Sequence, residues 1–563
     1  MTEKQKWLLL GIILVAIFFR FYKIAEMPGG LFPDEAANGL DINLMQAGHL
    51  QPFYERGNGR EALFFYMLWG SVAAFGKGAW QHHIVSAGVG VVSVLLCFLL
   101  AQKLFSLTNF RKATTLALLA SFFMATNTWN IVLSRTAFRA NLIPLFTSLT
   151  FYLLLLAYSA TTTRKRLLWA ALTGASFALG FYSYIAYRVM VPILVVIILW
   201  PLLVDFFSKP RLEQTKKFIA PIILSAVMFG IFIFPLARYF YTHPGSFVGR
   251  SGQVSVFNPD QYLYNGQQLH GKPPLSVVIN VVGEVWKKSM LAYFTNGDLN
   301  WRHNISGFLF LSILVSPFFA IGLIAVTLLA IRYFFKPKKY KEDWQYFLLA
   351  GWFWGMMLPV ITTAEGIPHG LRSLGTVPTV FIISAYGLMV IMGLAEQVVN
   401  KFWDKLTHWK QKILTVAFSA KTVAYVAAII LQSFIAYFVY AYNSPENFYA
   451  FRSDLTVVSN YLKQHCDKTH TYLVLDKFSV QTTDYLTSDP KGNFSDKCNV
   501  PYIQVDPEDS WKLAGLEPGD QIVFTQSSLF DTKKFKQYHS EARLMLERRN
   551  KFNQTVMGVY KIN

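Results

Sequence analysis

The residues best suited to chemistry are two adjacent acids, Asp34 and Glu35, in the sequence Leu-Phe-Pro-Asp-Glu at residues 31–35. Such a pair can act as a general base, can ligate a metal ion, or can be solvated in a loop. The connection that holds them also contains Asn58-Gly59-Arg60-Glu61. The Arg60 guanidinium suits bidentate contact with phosphate, although it could equally anchor a helix among lipid headgroups. Together these residues favour a chemical role over a solvated loop.

Similar polar motifs, most of which contain arginine and several of which contain histidine, asparagine or tyrosine, recur along the chain. They are Ser134-Arg135, Arg139-Ala-Asn141, Tyr182-Ser-Tyr184-Ile-Ala-Tyr187-Arg188, His243-Pro244, Phe247-x-x-Arg250, Asp298-Leu-Asn300-Trp-Arg302-His303-Asn304 and Pro368-His369-Gly-Leu-Arg372. Any one of these arginines is more often a structural hydrogen-bond donor or an interfacial anchor. Taken together, they predict a binding site for an anionic ligand.

The elements that must position these motifs are apolar segments long enough to meet a lipid bilayer. Hydrophobic residues make up 53% of the 563 residues, only 15% are charged, and the mean hydropathy is +0.34. These values indicate a membrane protein. Eleven transmembrane helices are predicted, at residues 7–22, 83–102, 113–127, 140–160, 167–184, 189–207, 218–240, 307–333, 345–361, 376–396 and 418–441. Residues 60–76 predict a helix that lies in the membrane interface.

Lysine and arginine are concentrated in every second connection between these segments, which is typical of cytoplasmic loops. The pattern predicts a multi-pass protein of the inner (plasma) membrane with a cytoplasmic N-terminus. The polar motifs then lie on the extracytoplasmic side. The net charge of +20 is a consequence of this topology, so no nucleic-acid partner is expected.

The composition changes at residue 443, where the tail becomes polar. Strands are predicted at Thr471–Asp476, Gln521–Thr525 and Val556–Ile562, and helices at Phe448–Gln464 and Lys533–Arg549. This pattern predicts a membrane domain at 1–442 and a small extracytoplasmic α/β domain at 443–563. Cys466 and Cys498 could pair in an oxidising compartment or remain free thiols.

The order of these motifs resembles that of the GT-C glycosyltransferases of family 39, which include protein O-mannosyltransferases and bacterial aminoarabinose transferases of lipid A. The resemblance spans roughly residues 7–440. It is most specific at Phe-Pro-Asp34-Glu35, Gly59-Arg60-Glu61-Ala-Leu, Ser134-Arg135 and Pro368-His369-x-x-Arg372. It implies a GT-C fold, with about 11 transmembrane helices plus interfacial helices, and sugar transfer from a polyprenyl-phosphate donor on the extracytoplasmic face.

Carried onto this sequence, the resemblance implies that Asp34 is the catalytic carboxylate and Glu35 the second acid of the motif. Arg60 matches a residue that contacts the donor phosphate. Asn141 stands where many members carry a second aspartate, which puts a further acid in that loop in doubt.

Inverting transfer requires a base for the acceptor hydroxyl and cations for the departing phosphate. Asp34 is the expected base. The expected phosphate-binding residues are Arg60, Arg372, His369, Arg135 and Arg139. The expected substrate-pocket residues are Glu61, Asn141, Tyr182, Tyr184, Arg188, Asp298, Arg302 and His303.

No metal or other cofactor is expected to be required, although Asp34-Glu35 with His303 or His369 could hold a divalent ion. The acceptor could be a protein, a lipid or a glycan. Two other functions compete with sugar transfer, namely a transporter or flippase of lipid-linked sugars and a membrane receptor. A flippase would carry polar residues at mid-membrane depth, whereas here they gather at the outer boundary.

Overall fold

The computed structural model describes residues 1–108, 110–206, 212–258, 263–264, 267–268, 273–403, 407–465, 470–488 and 502–563. The chain divides into two compact units. The helical unit comprises residues 1–22, 86–134 and 139–439. The loop–tail unit comprises residues 23–85, 135–138 and 440–563. The predicted tail therefore groups with the first outer connection, which carries Asp34 and Arg60. Cys466 and Cys498 lie outside the described residues.

Helices dominate the described residues. They are α1 (Glu3–Phe21), α2 (Pro33–Gln46), α3 (Leu63–Phe75), α4 (Ala79–Ser106), α5 (Ala113–Thr126), α6 (Thr128–Leu133), α7 (Leu142–Ser159), α8 (Thr163–Gly180), α9 (Met190–Phe206), α10 (Leu212–Thr242), α11 (Pro244–Val254), α12 (Leu275–Leu291), α13 (Ser316–Phe335), α14 (Trp344–Ile361), α15 (Val377–Trp403), α16 (His408–Phe434), α17 (Pro445–Ala450), α18 (Ser453–Gln464), α19 (Val480–Thr487) and α20 (Thr532–Tyr538).

The strands among the described residues are short. They are β1 (Phe53–Tyr54), β2 (Arg60–Glu61), β3 (Leu263–Tyr264), β4 (Gln267–Gln268), β5 (Thr471–Val474), β6 (Ile503–Val505), β7 (Gln521–Thr525), β8 (Ala542–Arg549) and β9 (Thr555–Ile562).

Each of the eleven predicted membrane segments coincides with a helix of the structure, and the interfacial segment coincides with α3. Six helical segments of the described residues are long and apolar enough to cross a membrane on their own. They are Ala79–Ser106, Arg139–Ser159, Lys217–Thr242, Ser316–Phe335, Arg372–Trp403 and His408–Ala441. The chain is therefore a polytopic helical membrane protein.

The predicted start of the eighth span, at residue 307, is wrong because α13 begins only at Ser316. The preceding residues form an irregular loop in which Phe310, Leu311 and Val315 are buried. Phe310, for example, is fully buried and stacks on Trp129 with ring centroids 4.5 Å apart. Its hydrophobicity reflects packing within the protein, which apolar composition alone cannot distinguish from a span.

Close helix packing in the helical unit depends on small residues. Gly322 of α13 faces α15, where a Cβ would lie only 2.1 Å from the carbonyl oxygen of Ile383. Gly387 of α15 faces α13 in the same way. Paired glycines let two helix backbones approach closely, which gains van der Waals contact where lipid supplies no hydrophobic driving force.

The tail has a five-stranded mixed sheet in the order β6-β5-β7-β9-β8. Strands β6, β5 and β7 are parallel, and β9 and β8 extend the sheet antiparallel. Its core is formed by apolar residues of α18 and the strands, including Leu455, Leu473, Val523 and Val559. The predicted small α/β domain is confirmed.

Two predicted tail helices differ from the structure. Residues 542–549 form β8, not the second half of a helix over 533–549, because they pair with β9 along the sheet. Alanine, leucine, glutamate and arginine favour helices locally, but sheet pairing overrides that preference. The helix predicted at 448–464 is divided into α17 and α18 by Arg452, whose φ of 51° is left-handed.

Candidate active site

The acid pair lies in the first turn of α2. Pro33 begins this helix, at a position where its missing N–H would have no helical partner. The Glu35 carboxylate turns back toward the helix start, and Phe32 donates its N–H to Oε2 at 2.9 Å. Asp34 is exposed, and within the described part of the chain its carboxylate has no hydrogen-bond or ion-pair partner. The two adjacent acids therefore occupy opposite environments.

Glu35 is fully buried and is held by three groups of the loop–tail unit. Besides Phe32, Ala137 donates its N–H to Oε1 at 2.6 Å, and His83 Nε2 lies 3.3 Å from the same oxygen. Burial alone would raise the pKa of Glu35. His83 and the two backbone N–H groups outweigh it and hold that pKa below its usual value. Glu35 is thus a buried carboxylate that fixes the start of α2.

Arg60 lies against one face of α2 and is itself buried. Its guanidinium donates to the Asn38 side chain at 2.7 Å, to Asp41 Oδ2 at 2.5 Å and to the Ala37 carbonyl at 3.4 Å. A longer contact of 3.5 Å reaches the Asp34 carbonyl. These contacts orient the guanidinium toward the helix and favour a positioning role. Its predicted contact with donor phosphate stays a prediction.

Asp41 completes this clamp and was not singled out from the sequence. Arg56 donates from Nε to Asp41 Oδ1 at 3.0 Å, so the buried carboxylate receives two guanidinium groups. A signal was present, since Asp34, Asn38 and Asp41 are spaced four and three residues apart and therefore share one helix face.

The short segment 135–138 belongs to the same unit and supports the same helix. Asn38 donates to the Ala137 carbonyl at 3.0 Å, in addition to the Ala137–Glu35 bond. Arg135 is fully buried and donates to the Met27 carbonyl at 2.8 Å. Arg135 therefore braces the backbone before α2, and its predicted role in phosphate binding stays a prediction.

A second polar centre lies in the helical unit, where Asp298 and His303 meet His369. His303 Nδ1 lies 3.1 Å from Asp298 Oδ2, and the two imidazole rings stack with centroids 4.5 Å apart. Gly370 donates its N–H to the same Asp298 oxygen at 2.8 Å. These groups come from two separate loops, so only the fold brings them together.

Burial lowers the pKa of His303 and outweighs the opposing effect of Asp298. Burial also lowers the pKa of His369 well below its usual value, and His303 and Arg372 lower it further. Both imidazoles are therefore neutral at neutral pH.

Arg372 lies beside this centre and shares a carboxylate with a second arginine. It donates to Glu365 Oε2 at 2.9 Å, and Arg250 donates to the same oxygen at 3.0 Å. The Arg372 side chain is buried, whereas Glu365 is half exposed. The two guanidinium groups thus converge on one oxyanion. Arg372 was predicted as a phosphate ligand, and Glu365 was missed because a lone acid in a loop carries no distinctive pattern.

Several predicted pocket residues have structural contacts. The Tyr182 hydroxyl donates to the Phe232 carbonyl and accepts from the Leu236 N–H, so it enters the hydrogen-bond ladder of α10. Asn141 is buried and donates to the Leu133 carbonyl at 2.6 Å. Their predicted contacts with substrate stay predictions.

The remaining predicted residues are spread over both units. Arg139 lies over the Tyr184 ring at 5.2 Å, and Arg188 lies over the Phe247 ring at 4.3 Å. Arg302 bonds to the Asn300 side chain next to the second centre. Glu61 is buried in β2 of the loop–tail unit.

Comparisons with known proteins agree with this architecture. Residues 69–248 match the model of the family described as dolichyl-phosphate-mannose-protein mannosyltransferase. The crystal structure of apo ArnT from Cupriavidus metallidurans matches with a TM-score of 0.52 at 11% identity, covering 100% of this chain and 99% of that chain. The chain has the GT-C glycosyltransferase fold. The fold class and enzyme class predicted from the sequence are thereby confirmed.

A further GT-C structure, the oligosaccharyltransferase AglB from Archaeoglobus fulgidus in complex with an inhibitory peptide and a dolichol-phosphate, matches with a TM-score of 0.49 at 12% identity. It covers 100% of this chain and 74% of that chain. No curated protein matches this GT-C glycosyltransferase by sequence.

Proposed function

We propose that this glycosyltransferase moves a sugar from a polyprenyl-phosphate donor to an acceptor hydroxyl with inversion, and that Asp34 is the general base. The observation that carries the proposal is the contrast within the acid pair. Asp34 is exposed, with no partner for its carboxylate among the described residues, on a helix that Glu35 and Arg60 hold from the buried side. A base needs an available carboxylate in a fixed position.

In the proposed reaction the Asp34 carboxylate takes the proton of the acceptor hydroxyl. The acceptor oxygen forms a bond to the anomeric carbon of the sugar. The bond from that carbon to the phosphate oxygen breaks on the opposite face, and the polyprenyl phosphate leaves with the bonding electrons. A single displacement of this kind inverts the anomeric configuration.

We assign the stabilisation of the departing phosphate to Arg372 and Arg250 of the helical unit. Both guanidinium groups already donate to one carboxylate oxygen of Glu365, so their spacing suits an oxyanion. A phosphate would replace Glu365 between them. Because two fixed cations can neutralise a phosphate monoester, the transfer step does not require a metal ion.

The donor class is supported by the description of the matched family, which uses dolichyl-phosphate mannose, a polyprenyl-phosphate sugar. The acceptor is a protein, a lipid or a glycan. The charge pattern of the connections supports a location in the inner membrane, with a cytoplasmic N-terminus, transfer on the extracytoplasmic face and the tail domain on that side.

The test is a transfer assay with purified, reconstituted enzyme and a polyprenyl-phosphate sugar. Asp34→Asn should lower kcat by about 10²–10⁴-fold, because that is the usual contribution of a general base. Donor binding and the melting temperature should be unchanged, since the Asp34 carboxylate has no hydrogen bond or ion pair among the described residues. The matched control is Asp509→Asn, which alters another exposed acid of the loop–tail unit.

Transfer by Asp34→Asn at the normal rate would exclude Asp34 as the base. Movement of the donor across the bilayer without any transfer would favour the flippase alternative.

A further inference from the structure

In the helical unit, Asp298, His303 and His369 each offer one metal-ligating atom, and these three atoms lie within 4.8 Å of one another. Asp298 Oδ2 and His303 Nδ1 are 3.1 Å apart. Two ligands of a tetrahedral Zn²⁺ with bonds of about 2.0–2.1 Å would be separated by about 3.3 Å. We propose that Asp298, His303 and His369 bind a divalent transition-metal ion, for which Zn²⁺ is the best fit.

An unsatisfied polar atom supports this assignment. His369 Nδ1 is buried, and no hydrogen-bond partner for it occurs among the described residues. Buried polar atoms in folded proteins nearly always have a partner. Its ring is stacked on His303 with an interplanar angle of 22°. A turn of the His369 ring about its Cβ–Cγ bond would direct a nitrogen lone pair toward the other two ligand atoms.

The donor set also fits a zinc ion. Two imidazoles and one carboxylate suit Zn²⁺ and leave one tetrahedral position for water or another oxygen ligand. The carboxylate is oriented by backbone donors, as metal-ligating carboxylates usually are. Gly370 donates to Asp298 Oδ2 and Asn300 donates to Oδ1, both at 2.8 Å.

The site is built around a close backbone approach at Gly370. A Cβ at this position would lie 2.9 Å from the His303 carbonyl oxygen and 3.0 Å from Trp129 Nε1. Only glycine therefore lets the loop that carries His369 reach the loop that carries Asp298 and His303. A bound ion would link these two loops, and Arg372 follows His369 by three residues. The ion would thus position Arg372.

Charge determines what the open coordination position accepts. Asp298 neutralises only half of a divalent ion, and Arg302 and Arg372 act electrostatically on the two imidazoles. The occupied site would therefore attract an anion, and a phosphate oxygen matches both the ion and the arginines. This last step rests on the proposed function, whereas metal binding does not.

The experiment uses the full chain in detergent, purified through a tag without histidine, stripped with a chelator, loaded with Zn²⁺ and desalted. Elemental analysis should give about one zinc per chain, and Zn²⁺ should raise the melting temperature. Loading with Co²⁺ should produce the visible absorption bands of a tetrahedral site. These three measurements on the unmodified protein are independent of whether any variant folds.

His303→Ala and His369→Ala should each weaken zinc binding by on the order of 100-fold or more, because loss of outer-shell partners alone costs 10–100-fold. The matched control, His243→Ala, removes another histidine of the same unit, which stacks on Tyr239. It should bind zinc as the unmodified protein does.

The proposal is overturned if the unmodified protein retains no zinc, or if His369→Ala binds zinc with unchanged affinity. Inorganic phosphate should tighten zinc binding if a phosphate oxygen occupies the open coordination position. An unchanged zinc affinity would exclude the phosphate ligand and leave the proposed zinc site in place. Sugar transfer by the Asp34 variants is measured separately, so failure of the proposed function is distinguishable from failure of the metal site.

Discussion

The two polar centres of this glycosyltransferase are built in different ways. The Asp34 centre is one helix face whose buried partners, Glu35 and Arg60, each have several hydrogen bonds. The Asp298 centre is assembled from two loops, and several of its groups approach the same acceptor atom. One carboxylate oxygen of Asp298 faces both His303 and Gly370. The first centre thus holds one group in a fixed position, whereas the second gathers several groups around one carboxylate oxygen.

The largest effect on stability should come from the clamp on α2. Arg60→Met removes the buried partner of Asp41 and should destabilise the loop–tail unit by about 3 kcal/mol, the low end for a broken buried ion pair, since Arg56 still contacts Asp41. Thermal unfolding in detergent measures this. The matched variant Arg56→Met breaks a partly exposed pair and should cost no more than about 1 kcal/mol. An unchanged melting temperature with a raised KM for the donor would instead make Arg60 a phosphate ligand.

Glu35→Gln should have the next largest effect. Phe32 and Ala137 each donate an N–H to a different oxygen of Glu35, and glutamine has only one side-chain oxygen. One buried N–H is therefore left unpaired, which costs about 1–3 kcal/mol. The pKa of Glu35 is lowered, so its stabilisation is present at neutral pH and is lost as the pH falls through the lowered pKa. The melting temperature of the unmodified protein should therefore fall more steeply in acid than that of Glu35→Gln.

The pair of acids can then be compared directly. Asp34→Asn should lose transfer with an unchanged melting temperature, whereas Glu35→Gln should lose stability and retain more transfer. The reverse result would assign the chemistry to Glu35.

A smaller effect is expected beside the Asp298 centre. Glu365→Gln should free Arg372 and Arg250 and lower the KM for the donor by at most about 5-fold, because Glu365 is half exposed and an exposed ion pair is worth only about 0–1 kcal/mol. The control Glu396→Gln breaks the exposed pair with Lys112 in the same unit. A KM that rises with Glu365→Gln would show that Glu365 helps to bind substrate and does not compete with it.

The smallest effect should come from the contacts of α19 with Gly39 of α2 and His82 of α4 in the loop–tail unit. The Tyr485 hydroxyl lies 2.9 Å from His82 Nε2, and the Tyr485 ring packs against Gly39 of α2. Tyr485→Phe should lower stability by about 1 kcal/mol and leave kcat unchanged. Tyr472→Phe on β5 is the control. A loss of kcat would show that the tail contributes more than support to Asp34.

Apolar runs and basic connections were sufficient to predict a polytopic membrane protein, because membrane spans depend on composition over many residues. The three predicted tail strands were also located correctly, to within two residues at their ends. The irregular loop before α13 and strand β8 were not predicted. In both places distant partners decide the local structure, namely Trp129 for Phe310 and β9 for residues 542–549.

For the site, the sequence predicted roles for Asp34-Glu35, His303 and Pro368-His369-x-x-Arg372, because these residue types have the required chemistry. Residue type could not separate Asp34 from Glu35, which are neighbours with the same functional group, and only the family resemblance favoured Asp34 as the base. The tertiary structure separated them, since burial depends on what packs around each side chain. Ala137 and His83 surround Glu35, whereas Asp34 faces solvent.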